Sequence, residues 1–490
     1  MKILLVYPGV TVREVPLSLL YVSSSLKHAG FDTKVFELTP YSKFRWFKDQ
    51  DKHIEEEFEK VLLEYQPDIV GFSLMTINYS ITMRLAGIVK AKTRALVICG
   101  GIHPTIDPED TISEKDVDFI CVGEGEESTV ELVTKIKNNE DCTSIAGIWA
   151  KQNGNIFRNP IRELKDNLDS LPFPDREALP DSYYQDELIG TNILSSRGCP
   201  YPCTFCQNKY LMDIYKGRGK FVRYRSFEDI FAEIQFLIDR YNIKRLYFSD
   251  ETFTLNKKRI LEFCSEYKKR FDLQFLCQTR IDKIDEEVLR ALKEAGCTHI
   301  SLAVESGNEE IRSKLLKKPC TDEQIVGAFK LAKKHGLRTQ SFNMLGLPGE
   351  HKKYIFESIE LNRKIQPDRI LCSVFMPFKG TELGESCFKE GLVKGDVKKS
   401  SNYYNVISIK YDNISPRDIL GYQGFYDWYI RLPKKYYKLI DLFRIVYQTL
   451  LTTQNPKNKL LRYFRSSLIE FVYQAKRFLP VSDKYHVTKR

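Results

Sequence analysis

Residues 197–208 read RGCPYPCTFCQN. Cys199, Cys203 and Cys206 stand three and then two residues apart in this run, among two prolines and a glycine. Three thiols are an odd number for disulfides. They are also one short of a tetrahedral zinc site, which takes four ligands, usually as two pairs. The next cysteine, Cys264, falls in a helical pattern, and no histidine lies within 40 residues of the triplet. Buried apolar thiols would not gather in a loop beside glycine and proline. Iron–sulfur clusters are held by cysteine thiolates. A four-iron cube on three cysteines keeps one iron open to a ligand that is not protein.

Working outward, the triplet follows a strand pattern, TNILSS. Five further apolar runs come after it: KRLYFSD, FLCQTR, THISLAVES, RTQSFNMLG and DRILCSVFMPF. Helical patterns lie between them, near 226–240, 257–269, 284–294, 322–335 and 351–364. Six βα units predict a partial (β/α)6 barrel over 191–385, with chemistry at the carboxyl edge of its strands. Upstream, KILLVY, DTKVFEL, PDIVGFSL, ALVICGG and DFICVGEGE alternate with amphipathic stretches. That pattern predicts an α/β domain over 1–145, a doubly wound parallel sheet of Rossmann type that binds ligands at its carboxyl edge. Residues 146–190 read as a hairpin with an Asn-Gly-Asn turn and then a Pro- and Asp-rich linker. Residues 386–490 read as a mostly helical, basic C-terminal extension.

With 490 residues, 42% hydrophobic and 29% charged, the chain has the composition of a soluble globular protein of two or three domains. MKILLVYPGV has neither a charged n-region nor a cleavage site, so no signal peptide is expected. No run of about 18 apolar residues predicts a membrane span. Nine of the twelve cysteines are scattered singly, which fits a reducing compartment. The expectation is a cytoplasmic protein. Charge is uneven: residues 431–490 hold 14 Lys+Arg against 3 Asp+Glu, a net +11 beside +10 for the whole chain. Apolar residues recur at helical spacing through 425–480 with Lys and Arg interleaved. They read either as helices packed on the barrel with a solvated basic face, or as a surface for peripheral contact with anionic membrane lipid. No RRM, KH or OB signature is present, so no nucleic-acid partner is expected.

CxxxCxxC with Phe205 before the last cysteine resembles the radical S-adenosylmethionine (SAM) superfamily. The resemblance implies a [4Fe–4S] cluster on Cys199, Cys203 and Cys206, with SAM on the open iron. It implies reductive cleavage of SAM to a 5′-deoxyadenosyl radical, and an electron donor such as flavodoxin or ferredoxin. It further implies that Asp250 and Glu251 of FSDETF read the SAM amino group and Arg280 of QTRID its carboxylate. Glu305 and Ser306 of SLAVESG would take the ribose, and Gly346 of NMLGLPGE would let backbone approach the adenine.

The first domain has no GxGxxG after its first strand, which argues against a dinucleotide. Its YPG, SLMTIN, GGIHPT and GEGEES loops resemble the cobalamin-binding domain that precedes the barrel in one branch of radical SAM enzymes. The implied cobalamin contacts are Pro8, Ser73, Leu74, Gly100, Gly101, His103, Gly123 and Glu124. The corrin's lower face would rest on 73–78, and its nucleotide tail would pass Gly100–Gly101. The DxHxxG motif of methionine-synthase-like domains is missing from YPGVTVREVP. Cobalt is therefore expected without a lower histidine, and His103 is expected as a tail or outer contact.

Together these readings imply a cobalamin-dependent radical SAM methyltransferase acting on an unactivated carbon of a small or lipid-like substrate. The alternative is a ring-forming or rearranging enzyme with the same cofactors. A tRNA methylthiotransferase would carry a second cysteine triplet in the first domain, a pattern that Cys99, Cys121 and Cys142 do not form. A binding-only protein would keep the triplet without using it. No residue names the substrate or a catalytic acid or base.

Overall fold

The computed structural model describes residues 1–8, 15–38, 50–185, 190–395 and 407–452. The expectations for the rest of YPGVTVREVP, and for the tail beyond 452, lie outside the described residues.

The apolar runs of the first 150 residues are strands because helices cover both their faces. They are β1 (Lys2–Pro8), β2 (Asp32–Leu38), β3 (Ile69–Ser73), β4 (Leu96–Gly100) and β5 (Phe119–Cys121). These five pair in parallel in the order β2-β1-β3-β4-β5. The hairpin β6 (Ile148–Gln152) and β7 (Asn155–Phe157) extends the sheet antiparallel to seven strands. It turns through Asn153 and Gly154, whose φ angles are 51° and 78°. Among the helices of this region are α1 (Leu17–His28), α2 (Gln50–Tyr65), α3 (Tyr79–Lys92), α4 (Ile102–Ile106), α5 (Pro108–Ser113) and α6 (Glu126–Lys137). Leu4, Val6, Phe58, Val70, Phe72, Val97 and Cys99 form the centre of the core. Burying each large apolar side chain stabilises by about 1.5–3 kcal/mol. Strand order reverses between β1 and β3, which puts the ligand crevice at the carboxyl ends of those strands.

The chain divides into two compact units. The first holds Met1–Asp250 and Phe378–Glu385; the second holds Glu251–Pro377, Ser386–Gly395 and, among later described residues, 407–452. The division at 250/251 falls inside the stretch expected as one barrel domain. Ion pairs within the first unit hold the start of the barrel there. Glu233 takes both Arg176 and Arg225 at 2.6 Å, and Glu124 of the first sheet takes Arg223.

The first unit also contains β8 (Thr191–Ile193), β9 (Ser196–Arg197), β10 (Arg223–Tyr224) and β11 (Arg245–Phe248), with α7 (Gln207–Ile214) and α8 (Phe227–Tyr241). β8 pairs parallel with β11, and β9 antiparallel with β10. The second unit contains β12 (Gln274–Thr279), β13 (Cys297–Glu305), β14 (Arg338–Leu345) and β15 (Arg369–Val374), each parallel to the next. Its helices α9 (Lys257–Arg270), α10 (Glu286–Glu294), α11 (Asp322–Lys334) and α12 (Lys352–Ile365) follow β11, β12, β13 and β14 in sequence, and α13 (Glu382–Lys389) follows β15. The α10 start is capped by Asp285, and the α11 start by a Thr321–Gln324 capping box. Six strands each followed by a helix make the chain's second part a partial (β/α)6 barrel in class. The helical extension begins with α14 (Pro416–Gly424), α15 (Tyr426–Arg431) and α16 (Tyr437–Thr452). Tyr422, Phe425, Tyr426 and Tyr429 pack there with Ile355 and Ile359. Among the described residues no helix is long and apolar enough to cross a membrane.

Candidate functional site

The cysteine loop begins at Gly198, whose φ is 89°. A Cβ there would stand 2.3 Å from the Phe221 carbonyl oxygen, so only glycine lets the chain leave β9 in this direction. Cys199 and Cys203 are buried, Cys206 and Phe205 half-buried, and none of the twelve cysteines is in a disulfide. The Cys206 amide donates to the Cys203 carbonyl at 3.1 Å, closing the CxxC turn. Cys206 is the N-cap of α7. A helix N-terminus favours an anionic thiolate, so the loop fits a cluster held by thiolates.

Asp250 follows β11 and is fully buried. It accepts from the Ser195 amide (3.2 Å), the Ser195 hydroxyl (2.8 Å) and the Ser196 hydroxyl. Burial pushes its carboxyl above the usual range, against the pull of those donors. Its oxygens thus brace the strand that leads into the cysteines. Its neighbour Glu251 is exposed.

At the edge of the first sheet, Pro8 is buried at the end of β1. Its carbonyl accepts from the Asn78 side chain at 3.2 Å, and the same amide group reaches the Ser73 carbonyl at 3.3 Å. Asn78 Oδ1 in turn accepts from the Met75 amide at 2.8 Å. Asn78, not singled out from sequence, thus staples the two strand ends at the topological switch point. Leu74 is buried; its amide donates to the Gly100 carbonyl (2.7 Å) and its carbonyl accepts from the His103 amide (3.1 Å). A Cβ on Gly101 (φ 107°) would stand 2.9 Å from that Leu74 carbonyl. The crossing of the 73–78 loop thus requires glycine at 101 by itself.

His103 is buried, with Nδ1 2.9 Å from the Thr76 hydroxyl and Nε2 3.4 Å from Asp110. Both ring nitrogens are thus engaged by protein groups. The trio His103, Asp107 and Asp110 clusters closely enough to hold an ion, but Asp107 is paired with Lys379 at 2.6 Å. The backbone, hydroxyl and amide groups of this edge fit a cobalamin held through its side-chain amides. Gly123 (φ 93°) and Glu124 lie on the loop after β5. A Cβ on Gly123 would meet the Tyr215 hydroxyl at 2.1 Å. The Glu124 amide donates to that hydroxyl at 2.8 Å, and its carboxylate pairs with Arg223 and Arg197. Both residues are thus turned toward the cysteine-bearing ribbon.

In the second unit, Arg280 follows β12 and pairs with Asp282 at 2.8 Å. Glu305 ends β13 with φ 67°, a strained conformation for a residue with a side chain. It accepts from Lys318 Nζ at 2.9 Å, a pair that sequence reading did not find. Ser306 is buried, and its hydroxyl accepts from the Asn308 amide at 3.2 Å. Gly346 follows β14 with φ 74°; a Cβ there would stand 2.8 Å from the Tyr411 hydroxyl, which donates to the Gly346 carbonyl at 2.6 Å. The need for glycine at 346 is thus met by Tyr411 within the protein. Glu350 is buried, accepts from the Gly346 amide at 2.8 Å, and is pushed by burial up to about 7.

Two family models match: the Radical SAM superfamily over residues 193–361 and the B12 binding domain over 9–133. An uncharacterized methyltransferase of Pyrococcus horikoshii is 31% identical over 405 residues, 80% of this chain and 84% of that protein. The cytidylyl-2-hydroxyethylphosphonate methyltransferase of Streptomyces wedmorensis is 24% identical, over 80% of this chain and 82% of its own length. In fold, the chain is similar to the radical SAM methyltransferase TsrM of Kitasatospora setae, solved with cobalamin and a [4Fe–4S] cluster. The TM-score is 0.66 at 16% identity, covering 97% of this chain and 99% of that one. The cofactors are a [4Fe–4S] cluster, SAM and cobalamin. With its cysteine triplet, its two matched domains and a relative 31% identical over most of both chains, the chain belongs to the radical SAM enzymes that carry a cobalamin-binding domain.

Proposed function

We propose that this enzyme transfers a methyl group to an unactivated carbon of a small or lipid-like molecule. The observation that carries the reading is the joint presence of the three-thiol loop and a first-sheet edge where His103 has both ring nitrogens engaged by the protein. The relatives support it: the protein from P. horikoshii is called a methyltransferase, and that from S. wedmorensis methylates a phosphonate by its name. When bound, the cluster supplies the electron that cleaves SAM to a 5′-deoxyadenosyl radical, and cobalamin serves as the methyl carrier.

The chain's own residues divide the remaining work. Cys199, Cys203 and Cys206 hold the cluster, and the α7 N-terminus offsets its negative charge. Arg280, held by Asp282, presents a planar donor suited to a carboxylate such as that of SAM. Glu305, fixed by Lys318, offers acceptor oxygens at the end of β13 for ribose hydroxyls. A flavodoxin or ferredoxin supplies electrons.

Anaerobic turnover with candidate substrates tests the reading. Methyl transfer yields S-adenosylhomocysteine and 5′-deoxyadenosine together. Formation of 5′-deoxyadenosine alone, with a cyclised or rearranged product, replaces methyl transfer by the ring-forming alternative.

A further inference from the structure

Arg197 ends β9 two residues before Cys199, so the two Cα atoms lie within about 7 Å whatever path the loop takes. Its guanidinium pairs with Glu126 at 2.7 Å and Glu124 at 3.4 Å, and lies over the Tyr21 ring at 4.8 Å from the centroid. Glu124 also takes Arg223 of β10 at 2.9 Å. Tyr215, one residue past α7, receives the Glu124 amide where a side chain on Gly123 would stand. The GEGE loop at the end of β5 is therefore fastened to both strands of the ribbon that carries the cysteines. Two arginines and two glutamates balance there. Burial pushes the Glu124 carboxyl up, and Arg223 and Arg197 more than offset it, so Glu124 is ionised at neutral pH.

We propose that Glu124 and Arg197 are positioning residues for the cluster: they fix the strand that enters the cysteine loop, and their charges set the cluster's reduction potential. The proposal rests on the assignment of the cluster to Cys199, Cys203 and Cys206. Reduction adds negative charge to the cluster, so a nearby anion opposes it and a nearby cation favours it. Glu124→Gln therefore raises the midpoint potential, and Arg197→Gln lowers it. A merely structural role would loosen the cluster in both variants without that opposition of sign.

The experiment is an anaerobic redox titration of the loaded full-length protein, followed by electron paramagnetic resonance, with iron counted on each sample. Glu124→Asp keeps the charge and holds the wild-type potential. Glu131→Gln removes a carboxylate paired elsewhere, with Arg162, and also leaves the potential unchanged. Shifts of one sign in both charge variants overturn the proposal, as do unshifted potentials with about four irons retained. If Arg197→Gln holds no iron, Glu124→Gln decides by the direction of its shift. If Glu124→Gln also holds none, Glu124→Asp decides: wild-type iron and potential uphold the proposal, and loss of iron overturns it. A wild type that gains no iron on reconstitution defeats the cluster assignment itself, a separate result.

Discussion

Asp250 and Glu350 are both buried carboxyls beside barrel strands, and the residues around them give them different tasks. Asp250 accepts from two hydroxyls and an amide. Asp250→Asn would turn a donor toward groups that already donate, at about 1–3 kcal/mol for the unsatisfied partners. A lower unfolding midpoint and reduced iron loading are expected; an unchanged melting curve would contradict the bracing role. Glu350 is held near 7 by burial, above its ordinary 4.5. The folded state therefore binds its proton more tightly than the unfolded chain does. Stability from this group is full below about pH 4.5 and falls as pH rises toward 7, by about 3 kcal/mol in all. Glu350→Gln removes that slope. Denaturant unfolding between pH 5 and 8, compared for the two proteins, measures it, and parallel curves would refute the shift. The cysteines were legible in the sequence because their spacing is itself the chemistry. The protein partners of Asp250, Gly101 and Gly346 were not, because each is a distant group (Ser195, Leu74 or Tyr411) that only the fold brings against it.

The shortest elements hold the cysteine loop. β9 and β10 are two residues each and pair Arg197 with Arg223 across the whole loop. No apolar run or turn dipeptide marks them, so sequence periodicity passes over them. The long parallel strands are legible for the opposite reason: burial on both faces writes a continuous apolar run, as in KILLVY. Gly198 is the hinge of the ribbon, and it yields a prediction at this scale. Gly198→Ala places a Cβ 2.3 Å from a backbone oxygen that has no side-chain freedom to move aside. Gly30→Ala shares the left-handed backbone, with φ 82°, but meets nothing within 4 Å. Gly30→Ala is expected to lose about 1–2 kcal/mol of stability and to keep its iron. Gly198→Ala is expected to lose more stability and to fail to load the cluster. Equal iron content in the two variants would show that the ribbon does not shape the loop.

At the scale of the whole molecule, the basic charge is concentrated in the last 60 residues, and their described part has a defined face. On α16, Leu439, Leu442 and Val446 are 48%, 57% and 42% exposed, while Ile440, Arg444 and Gln448 on the other side are buried. Lys435 and Lys438 are exposed beside the apolar stripe, and Lys434 pairs with Glu360. Apolar residues spaced three and four apart with flanking lysines complement an anionic lipid surface. For a lipid-like substrate within the proposed range, this face predicts that the enzyme meets its substrate at a membrane. The full-length protein is then expected to float with vesicles containing phosphatidylglycerol and not with pure phosphatidylcholine, and to be released as salt screens the lysines. Leu442→Glu, on an exposed position, is expected to keep the fold and its iron while abolishing flotation. Two other outcomes would each remove the membrane from the account: equal binding to both vesicle types, or a concentration-dependent dimer that Leu442→Glu dissolves while wild-type protein ignores both lipids. In the second case the stripe would be the seat of another copy of this chain.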